Sequence, residues 1–362
     1  MVWASPIYSK KDVLDAGRVL VQVDCDEDKM LRALEIVNNW RSSHSFPLNT
    51  FQTNLRLTAR NIDDNVIVAQ RIKRLSSIRE KLRRYPQMTL PQMQDIGGCR
   101  AIVRTLDKVM MLRKAYRNSK VKHTIQKENN YISHPKESGY RGIHLVWSYH
   151  SDRKSTFNGL RIEMQLRTKN QHAWATAVET AGTFMQQSLK SSRGERDWLR
   201  FFALMGSVIA EKEKSPYVPN TPTKYAELIG DVRDLATRLN VLHSLQAYGE
   251  TIKVLEANSD AVGMHYFLME LDAKNEEVEI TGYEKSEAEE AAIKYLDIES
   301  KIRDIHHKDA VLVSVDSIKA LKQAYPNYFL DSSRFLTILQ RVTKRNTSRT
   351  RKKRNNKQTS LF

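Results

Sequence analysis

Two cysteines in 362 residues, Cys25 and Cys99, are too few for a disulfide framework or a cysteine-based zinc site, so a reducing cytoplasm is the expected setting. No stretch approaches the ~20 consecutive apolar residues of a membrane helix. The opening MVWASPIYSKKDV also lacks the apolar core of a signal peptide. A soluble, non-secreted chain is the expectation. Neither a Walker A loop nor a Gly-x-Gly-x-x-Gly run occurs, which argues against a P-loop or kinase-type phosphate cradle. Acids are in deficit: 42 Asp and Glu face 59 Lys and Arg, for a formal net charge of +17. That balance favours a polyanionic partner, be it nucleotide, RNA or an anionic membrane surface, without choosing among them.

Hydrophobic content of 40% is ordinary for a globular protein, and the length fits roughly two domains. The most informative stretch runs from Asn130 to Thr168. Leu160, Ile162, Met164 and Leu166 alternate with Arg161, Glu163, Gln165 and Arg167, the period-two pattern of a half-buried strand. Ile143, Leu145, Trp147 and Tyr149 alternate with His144, Val146, Ser148 and His150, so the two strands are expected to form a hairpin across Ser151 to Asn158. Ahead of it lies a Pro/Gly-punctuated loop with Lys136, Tyr140 and Arg141, Tyr140 being expected to be exposed. A cationic loop, an aromatic face and an acid on a sheet together suggest a nucleotide site.

Ser9 and Asp12 have capping-box spacing for a first helix, and RVLVQVD after it has the β-branched content of a strand. Asp26 caps a helix to about Trp40, which SSHSFP breaks. From Ile62 to Arg84, Val68, Ile72, Leu75, Ile78 and Leu82 recur at intervals of three and four, predicting one helix. Lys73, Ser77 and Lys81 stand four apart on another stripe, near Arg71 and Arg74. A solvated basic face and a ladder of donors along a polyphosphate both fit that stripe. MQDIGGCRAIVRTL reads as a strand entered through Gly97-Gly98 with Asp95 at its mouth, and Asp107 to Asn118 as a helix. Thr168 and Gln171 open another, with Trp174, Val178, Ala181 and Met185 on its buried side and His172 just beyond the acidic strand. Residues 214–224 are rich in Pro and Thr and read as a linker. Beyond it come a helix from Tyr225 to about Leu255, a hairpin in HYFLMELDAKNEEVEITGY, a helix rich in Glu and Ala, the strand AVLVSVD, a short helix and AYPNYFLD. No acid follows Asp331, and residues 343–362 form a basic tail expected to be disordered.

Transfer of a phosphate-type group needs cations for a polyphosphate, carboxylates for Mg²⁺ and a positioned hydroxyl. One or two protein carboxylates suffice for Mg²⁺, which keeps several waters. Asp95 and Glu163 would supply them, each with arginines near in sequence: Arg100 for the first, Arg161 and Arg167 for the second. Arg71, Lys73, Ser77 and Lys81 would supply donors, and Tyr140 a flat face for a base. A surface acid paired with its arginines, and an ordinary loop aromatic, are the bland alternatives.

RIKRLSSIREK, DIGGCR, YISHPKESGYRGIH and EMQLRT followed by His172, in that order, resemble the synthetase domain of the RelA/SpoT family over about Leu55 to Phe184. The resemblance implies an α+β nucleotidyltransferase core, a mixed sheet flanked by helices, and transfer of the pyrophosphate group of ATP to a ribose 3′-hydroxyl. It implies Mg²⁺ held by Asp95 and Glu163, with Glu163 also orienting or deprotonating the hydroxyl. ATP would meet Arg71, Lys73, Ser77, Lys81, Arg100 and Lys136. Tyr140 would stack on the acceptor base, with His144, Gln165, Arg167 and His172 around it. Lys108 stands near where members place a second arginine against the adenine. The His-Asp dipeptide of the family's hydrolase domain has no match, so synthesis without degradation is expected.

NNWRSSHSFPLNTFQ and AVLVSVDSIKALKQAYPNYF further resemble the fused toxin-antitoxin members of that family, the CapRel type. That resemblance implies a synthetase domain over 1–213, a linker at 214–224, a smaller restraining α+β domain over 225–342, release by a phage protein, and the 3′ CCA end of tRNA as acceptor. Tyr325 and Tyr328 are expected to occupy the adenine pocket in the restrained state; ordinary packing is the alternative. An alarmone synthetase acting on GDP or GTP shares the same residues, and a non-enzymatic RNA-binding protein is disfavoured by the presence of both acids. The oligomeric state is open, with a monomer as the working expectation.

Overall fold

The computed structural model describes residues 3–344 except 23, 189–191, 252, 257–262, 273, 276, 303–304, 306 and 330; the side chains of 183–195 and 248–256 are likewise outside the description. Met185 and all but the start of the basic tail therefore lie outside it.

Helix α1 (Lys10–Val19) starts at the expected Ser9–Asp12 capping box. RVLVQVD is not a strand: its first two residues complete α1, and the Leu20 amide continues the helical bonding by donating to Ala16 O. Leu20 is buried in the core beneath the helix, and that burial overrides the β-branched propensity around it. Helix α2 (Glu27–Ser43) is capped by Asp26, and α3 (Ser45–Arg60), which periodicity did not single out, follows after the break at His44.

The helix expected from Ile62 to Arg84 is instead a strand, β1 (Ile67–Ile72), and a helix, α4 (Leu75–Arg84). Val68, Ile72 and Leu75 share helical spacing only by straddling the bend. What decides the matter is pairing, since β1 is hydrogen-bonded on both edges and its Val68 and Ala69 go to opposite buried faces.

Strand β2 (Gly97–Val103), helix α5 (Leu106–Arg117), strand β3 (Thr124–Asn130), and the hairpin β4 (Ile143–Ser148) and β5 (Arg161–Thr168) complete the first half of the sheet. Strand β3 is mostly polar and half exposed, so it carries little alternation to read. Helices α6 (Lys169–Ser188) and α7 (Ser192–Lys212) follow, α6 opening on the expected reciprocal Thr168–Gln171 bonds.

Residues 214–224 turn through positive φ at Lys214 and Asn220, yet Val218 is buried and its amide donates to Ser207 Oγ at 2.9 Å. The helix expected from Tyr225 to Leu255 is α8 (Tyr225–Arg238), a break at Asn240 with φ +48°, α9 (Val241–Thr251), and a short strand β6 (Lys253–Glu256). Strands β7 (Tyr266–Asp272) and β8 (Glu277–Tyr283), helix α10 (Ala288–Lys301), strand β9 (Lys308–Ser314), helix α11 (Ile318–Ala324), a 3₁₀ turn at Pro326–Phe329 and helix α12 (Ser333–Thr343) end the description. Helices α8, α9 and α12 share one apolar core with α6 and α7, so packing continues across the chain's Pro-rich stretch.

The strands form one mixed sheet in the order β3-β4-β5-β2-β1-β9-β7-β8-β6, parallel only at β2/β5 and β6/β8. Helices flank it, giving the expected α+β architecture. One face, carrying Val68, Ala101, Leu145 and Met164, packs against α1, α2, α3 and α5. On the other face Ile67, Ala69 and Ile102 pack against Tyr325, Tyr328 and Phe329.

The two halves of the sheet meet at β1 and β9, where the ladder is confined to Gln70 opposite Ser314 and Arg71 opposite Val313. Arg41, 1% exposed, reinforces that seam with all five of its N–H donors. Nε donates to Lys73 O, Nη1 to Asn38 Oδ1 and Glu299 Oε2, and Nη2 to Tyr295 OH and Glu299 Oε1, at 2.7–3.1 Å. Glu299 Oε1 also accepts from the Leu75 amide at 2.6 Å, so an acid from α10 closes the start of α4. Desolvating such a pair is costly unless its polar atoms are hydrogen-bonded; here every Arg41 N–H and both Glu299 oxygens have partners. Glu299→Ala leaves a buried guanidinium unpaired and should cost about 3–5 kcal/mol, read from urea unfolding of the whole chain. Arg41→Met combined with Glu299→Leu should recover most of that loss; equal losses for the single and double variants would disprove the coupling.

Candidate active site

Strand β2 runs parallel beside β5, with Gly98 opposite Glu163, and β4 lies on the other side of β5, with His144 opposite Gln165. Because Ile162, Met164 and Leu166 go to the core, Glu163, Gln165 and Arg167 necessarily share the opposite face. The same parity puts His144 on that face from β4, Arg100 from β2 and Arg71 from β1.

Glu163 Oε1 accepts from His144 Nδ1 at 2.8 Å, and its Oε2 from Gln165 Nε2 at 2.6 Å. A carboxylate accepts only, so Nδ1 carries the ring proton. In the neutral ring Nε2 then accepts from the Tyr140 hydroxyl at 2.5 Å, whose oxygen in turn accepts from Arg167 Nη2. The result is a directed chain from Arg167 through Tyr140 and His144 to Glu163. Burial pushes the Glu163 carboxyl up, but the hydrogen bonds from His144 and Gln165 work against it and the group stays below its usual range.

Asp95, just ahead of β2, receives Lys73 Nζ on Oδ2 at 2.8 Å and Lys81 Nζ on Oδ1 at 2.9 Å. Lys73 follows β1 and Lys81 lies on α4, so the stripe read on a single helix comes from two elements that converge on one acid. Ser77 is half exposed in the first turn of α4. Burial of the Asp95 carboxyl is outweighed by the two ammonium groups, which hold it down at about 2. Arg100 is pushed down to about 10 by burial and by neighbouring Arg167 and Arg71. Guanidinium groups crowded in this way favour a polyanion between them.

The loop before β4 behaves differently from its sequence appearance. Tyr140 is half buried, not exposed, because its hydroxyl is tied to His144 and Arg167 and its ring meets Trp174 edge-on. Arg141, 2% exposed, does not face a nucleotide: its Nη2 donates to Ile132 O and Ser215 Oγ, buttressing the loop against the end of α7. At Gly139 (φ +94°) a Cβ would lie 2.8 Å from Phe202 O, so only glycine permits this approach. Lys136 stands over Tyr131 and Tyr140, 4.4 and 5.4 Å from the ring centroids. Lys108 is committed elsewhere, 3.1 Å from Asp63 Oδ1.

His172 is buried and held well below its ordinary pKa, first by desolvation and then by Arg100 and Arg167. Its Nε2 donates to Gln323 O at 3.1 Å. Arg100 Nη1 donates to Ala324 O at 3.3 Å, and its guanidinium lies 5.8 Å from the Tyr325 ring centroid. Tyr328, 1% exposed, accepts from Arg74 Nη1 at 3.1 Å and donates to Asp309, which also pairs with Arg74. Three cations or polar groups of the site face thus already have partners in α11 and the turn after it. Sequence reasoning passed over Asp309 and Glu299; neither lies in a motif, and each meets its partner only through the fold.

Residues 70–187, about a third of the chain, match the family model described as the region found in RelA / SpoT proteins. This segment is a RelA/SpoT-type domain. It is similar to the GTP pyrophosphokinase YjbM of Bacillus subtilis (strain 168), 35% identical over 111 residues, or 30% of this chain and 52% of that protein. The chain thus spans about half the length of this curated relative. Among solved structures, small alarmone synthetase 1 of Bacillus subtilis is 26% identical (TM-score 0.40, 52% of this chain and 95% of that one) and small alarmone synthetase 2 is 23% identical (TM-score 0.40, 48% and 94%). No helix among the described residues is long and apolar enough to cross a membrane.

The Asp95 cluster has an acid signature. A carboxyl held at about 2, against an ordinary 3.8, contributes stability that is complete above pH 4 and lost as pH falls through 2. Asp95→Asn should therefore cost of order 2 kcal/mol at neutral pH and flatten the stability curve between pH 4 and 2, measured by urea midpoints across that range. An unchanged acid limb would show that Lys73 and Lys81 do not hold the acid.

Proposed function

We propose that this chain is a pyrophosphokinase that moves the β,γ-pyrophosphate of ATP to a ribose 3′-hydroxyl. The observation carrying this reading is the His144-fixed carboxylate of Glu163 on the same sheet face as Arg71, Arg100 and Arg167. In the proposed step the acceptor oxygen bonds to the β-phosphorus, the bond from that phosphorus to the α,β-bridging oxygen breaks, and AMP leaves. Glu163 takes the hydroxyl proton, while His144 and Gln165 keep its two oxygens aimed. Arg71, Lys73, Ser77, Lys81 and Arg100 would hold the triphosphate, with Lys136 swinging from its tyrosines to join them. Gln165, Arg167, His172 and Tyr140 would position the acceptor.

Mg²⁺ fits this donor set: Asp95 and Glu163 are oxygen ligands from separate elements that feel each other's charge, and substrate phosphates and water would complete its shell. When bound it would neutralise charge on the phosphates. Among the described residues no group of three or more metal-ligating side chains occurs, in keeping with a cation shared with substrate.

The acceptor we favour is the 3′ CCA end of tRNA, modified by a toxin whose own C-terminal part restrains it until a phage protein binds there. Support comes from the net charge of +17 and from Tyr325 and Tyr328, which are packed beside Arg100 and Arg74. In that arrangement Tyr325 and the Gln323 and Ala324 carbonyls use Arg100 and His172, groups that nucleotides would need, while Tyr328 anchors the turn on Arg74. A guanine nucleotide is the second reading, favoured by similarity to a protein named a GTP pyrophosphokinase. The setting we propose is cytoplasmic.

ATP labelled on its terminal phosphates, offered with tRNA, GDP or GTP, tests both readings. Tyr328→Phe keeps the ring but removes the bonds to Arg74 and Asp309, and should raise transfer several-fold over the intact chain; Tyr325→Ala with Tyr328→Ala should raise it further. Glu163→Gln in the released background should lose about 10²–10⁴-fold. Label on GDP or GTP alone would make the chain an alarmone synthetase, and no transfer by any released variant would end the enzyme reading. Equal rates before and after the tyrosine substitutions would end the restraint.

A further inference from the structure

The helical layer on the face opposite the candidate site is not continuous. Helices α2 and α3 cover the β1 side and α10 covers the β9 side, and between them lies a cavity of about 310 Å³. Its floor is Gln70 and Ile72 of β1 with Leu312 and Ser314 of β9, the strands whose mutual ladder is the narrow seam of the sheet. Leu48 of α3 and Leu296 of α10 are among its apolar walls.

One group in it is out of keeping with a structural gap. Gln70 is only 7% exposed, lines the cavity, and its Oε1 has no hydrogen-bond partner among the described residues. A buried amide oxygen without a donor is destabilising, and a ligand N–H or O–H would relieve that cost. Ser314, paired opposite Gln70, already has a partner in His265 Nε2 at 3.1 Å, leaving Gln70 as the group that still needs one. Largely apolar walls with a few polar groups, Ser42, Ser45 and Ser314 beside the unpartnered Gln70 acceptor, at the lower end of ligand-pocket volumes, are the marks of a small-molecule site. Arg71 and exposed Glu289 both belong to the lining, so it favours neither an anion nor a cation.

We propose that this cavity binds a small, uncharged, largely apolar compound bearing one N–H or O–H donor, which bonds Gln70 Oε1 and clamps the β1–β9 seam. Such a ligand touches both strands at once, so it binds the joined sheet and not a parted one, and its binding free energy is added to the seam. Gln70 immediately precedes Arg71, so the clamp lies directly behind the cations of the candidate site. That the clamp also holds transfer down rests on the proposed restraint; the binding and the clamping do not.

The probe is 5-fluoroindole, with 5-fluoroindene as its counterpart lacking the donor, followed by ¹⁹F line broadening on the full chain. Indole should bind at least several-fold more tightly than indene, and Gln70→Leu should erase that difference. Ala292→Trp, which fills the cavity from α10, should abolish binding of both, and Leu296→Phe should weaken both by tenfold or more. Hydrogen exchange at the Gln70 and Ser314 backbone amides should slow at saturating indole. No binding to the wild type, or binding indifferent to all three substitutions, overturns the site. Binding with unchanged exchange at the seam overturns the clamp. Neither readout depends on transfer, so a failed restraint would show separately, as clamped exchange with an unaltered transfer rate in the wild type.

Discussion

The ion pair between Arg41 and Glu299 is the constraint on which the two halves of the molecule depend. Without it β1 and β9 would be joined by a very short ladder, too little to fix the angle between two twisted half-sheets. With it, one guanidinium binds the carbonyl of Lys73, a side chain of α2 and an acid of α10, while that acid closes the first turn of α4. Lys73 and Lys81 flank that turn, and both must reach Asp95. A junction between halves and the placement of the site lysines are therefore one structural problem with one solution. Hydrophobic burial also joins the halves, with Ile67, Ala69 and Ile102 against Val311, Val313 and Tyr325, but it does not fix a helix start by hydrogen bonding.

Much of the site was legible because strand parity is a strict rule. Once Leu160, Ile162, Met164 and Leu166 are taken as buried, Glu163, Gln165 and Arg167 can only face the other way, and His144 follows from the same parity on β4. The hairpin, the β2 segment and the capped helix starts could be read for similar reasons: each is encoded within a few residues. The failures have a common cause in long-range pairing. The segment around Val68 to Leu82 has helical spacing, and only its partners β2 and β9 reveal that its first part is extended. Strand β3 has hardly any alternation because it lies at the edge of the sheet, paired along β4 alone. Arg141 looked like a ligand-facing cation and is a buttress, since nothing near it in sequence announces Ser215.

The electrostatics of the site face point to the kind of balance a restrained enzyme would need. Arg100 lies in the field of Arg71 and Arg167 and is depressed by that crowding as well as by burial. What faces Arg100 from the C-terminal half is a ring and a carbonyl, not a carboxylate. A neutral partner satisfies donors without neutralising charge, so the positive potential that would attract a polyphosphate survives while the space is filled. An acid in the place of Tyr325 would hold more tightly and abolish that potential. Arg74 is treated in the opposite way, with Asp309 and the Tyr328 hydroxyl both upon it, and it was never one of the groups expected to meet ATP. The strong contact thus falls on a cation outside the expected substrate set and the weak one on a cation within it. For the restraint proposed above that order is the favourable one, because release would then require breaking the Arg74–Asp309 anchor and not outcompeting an ion pair inside the pocket.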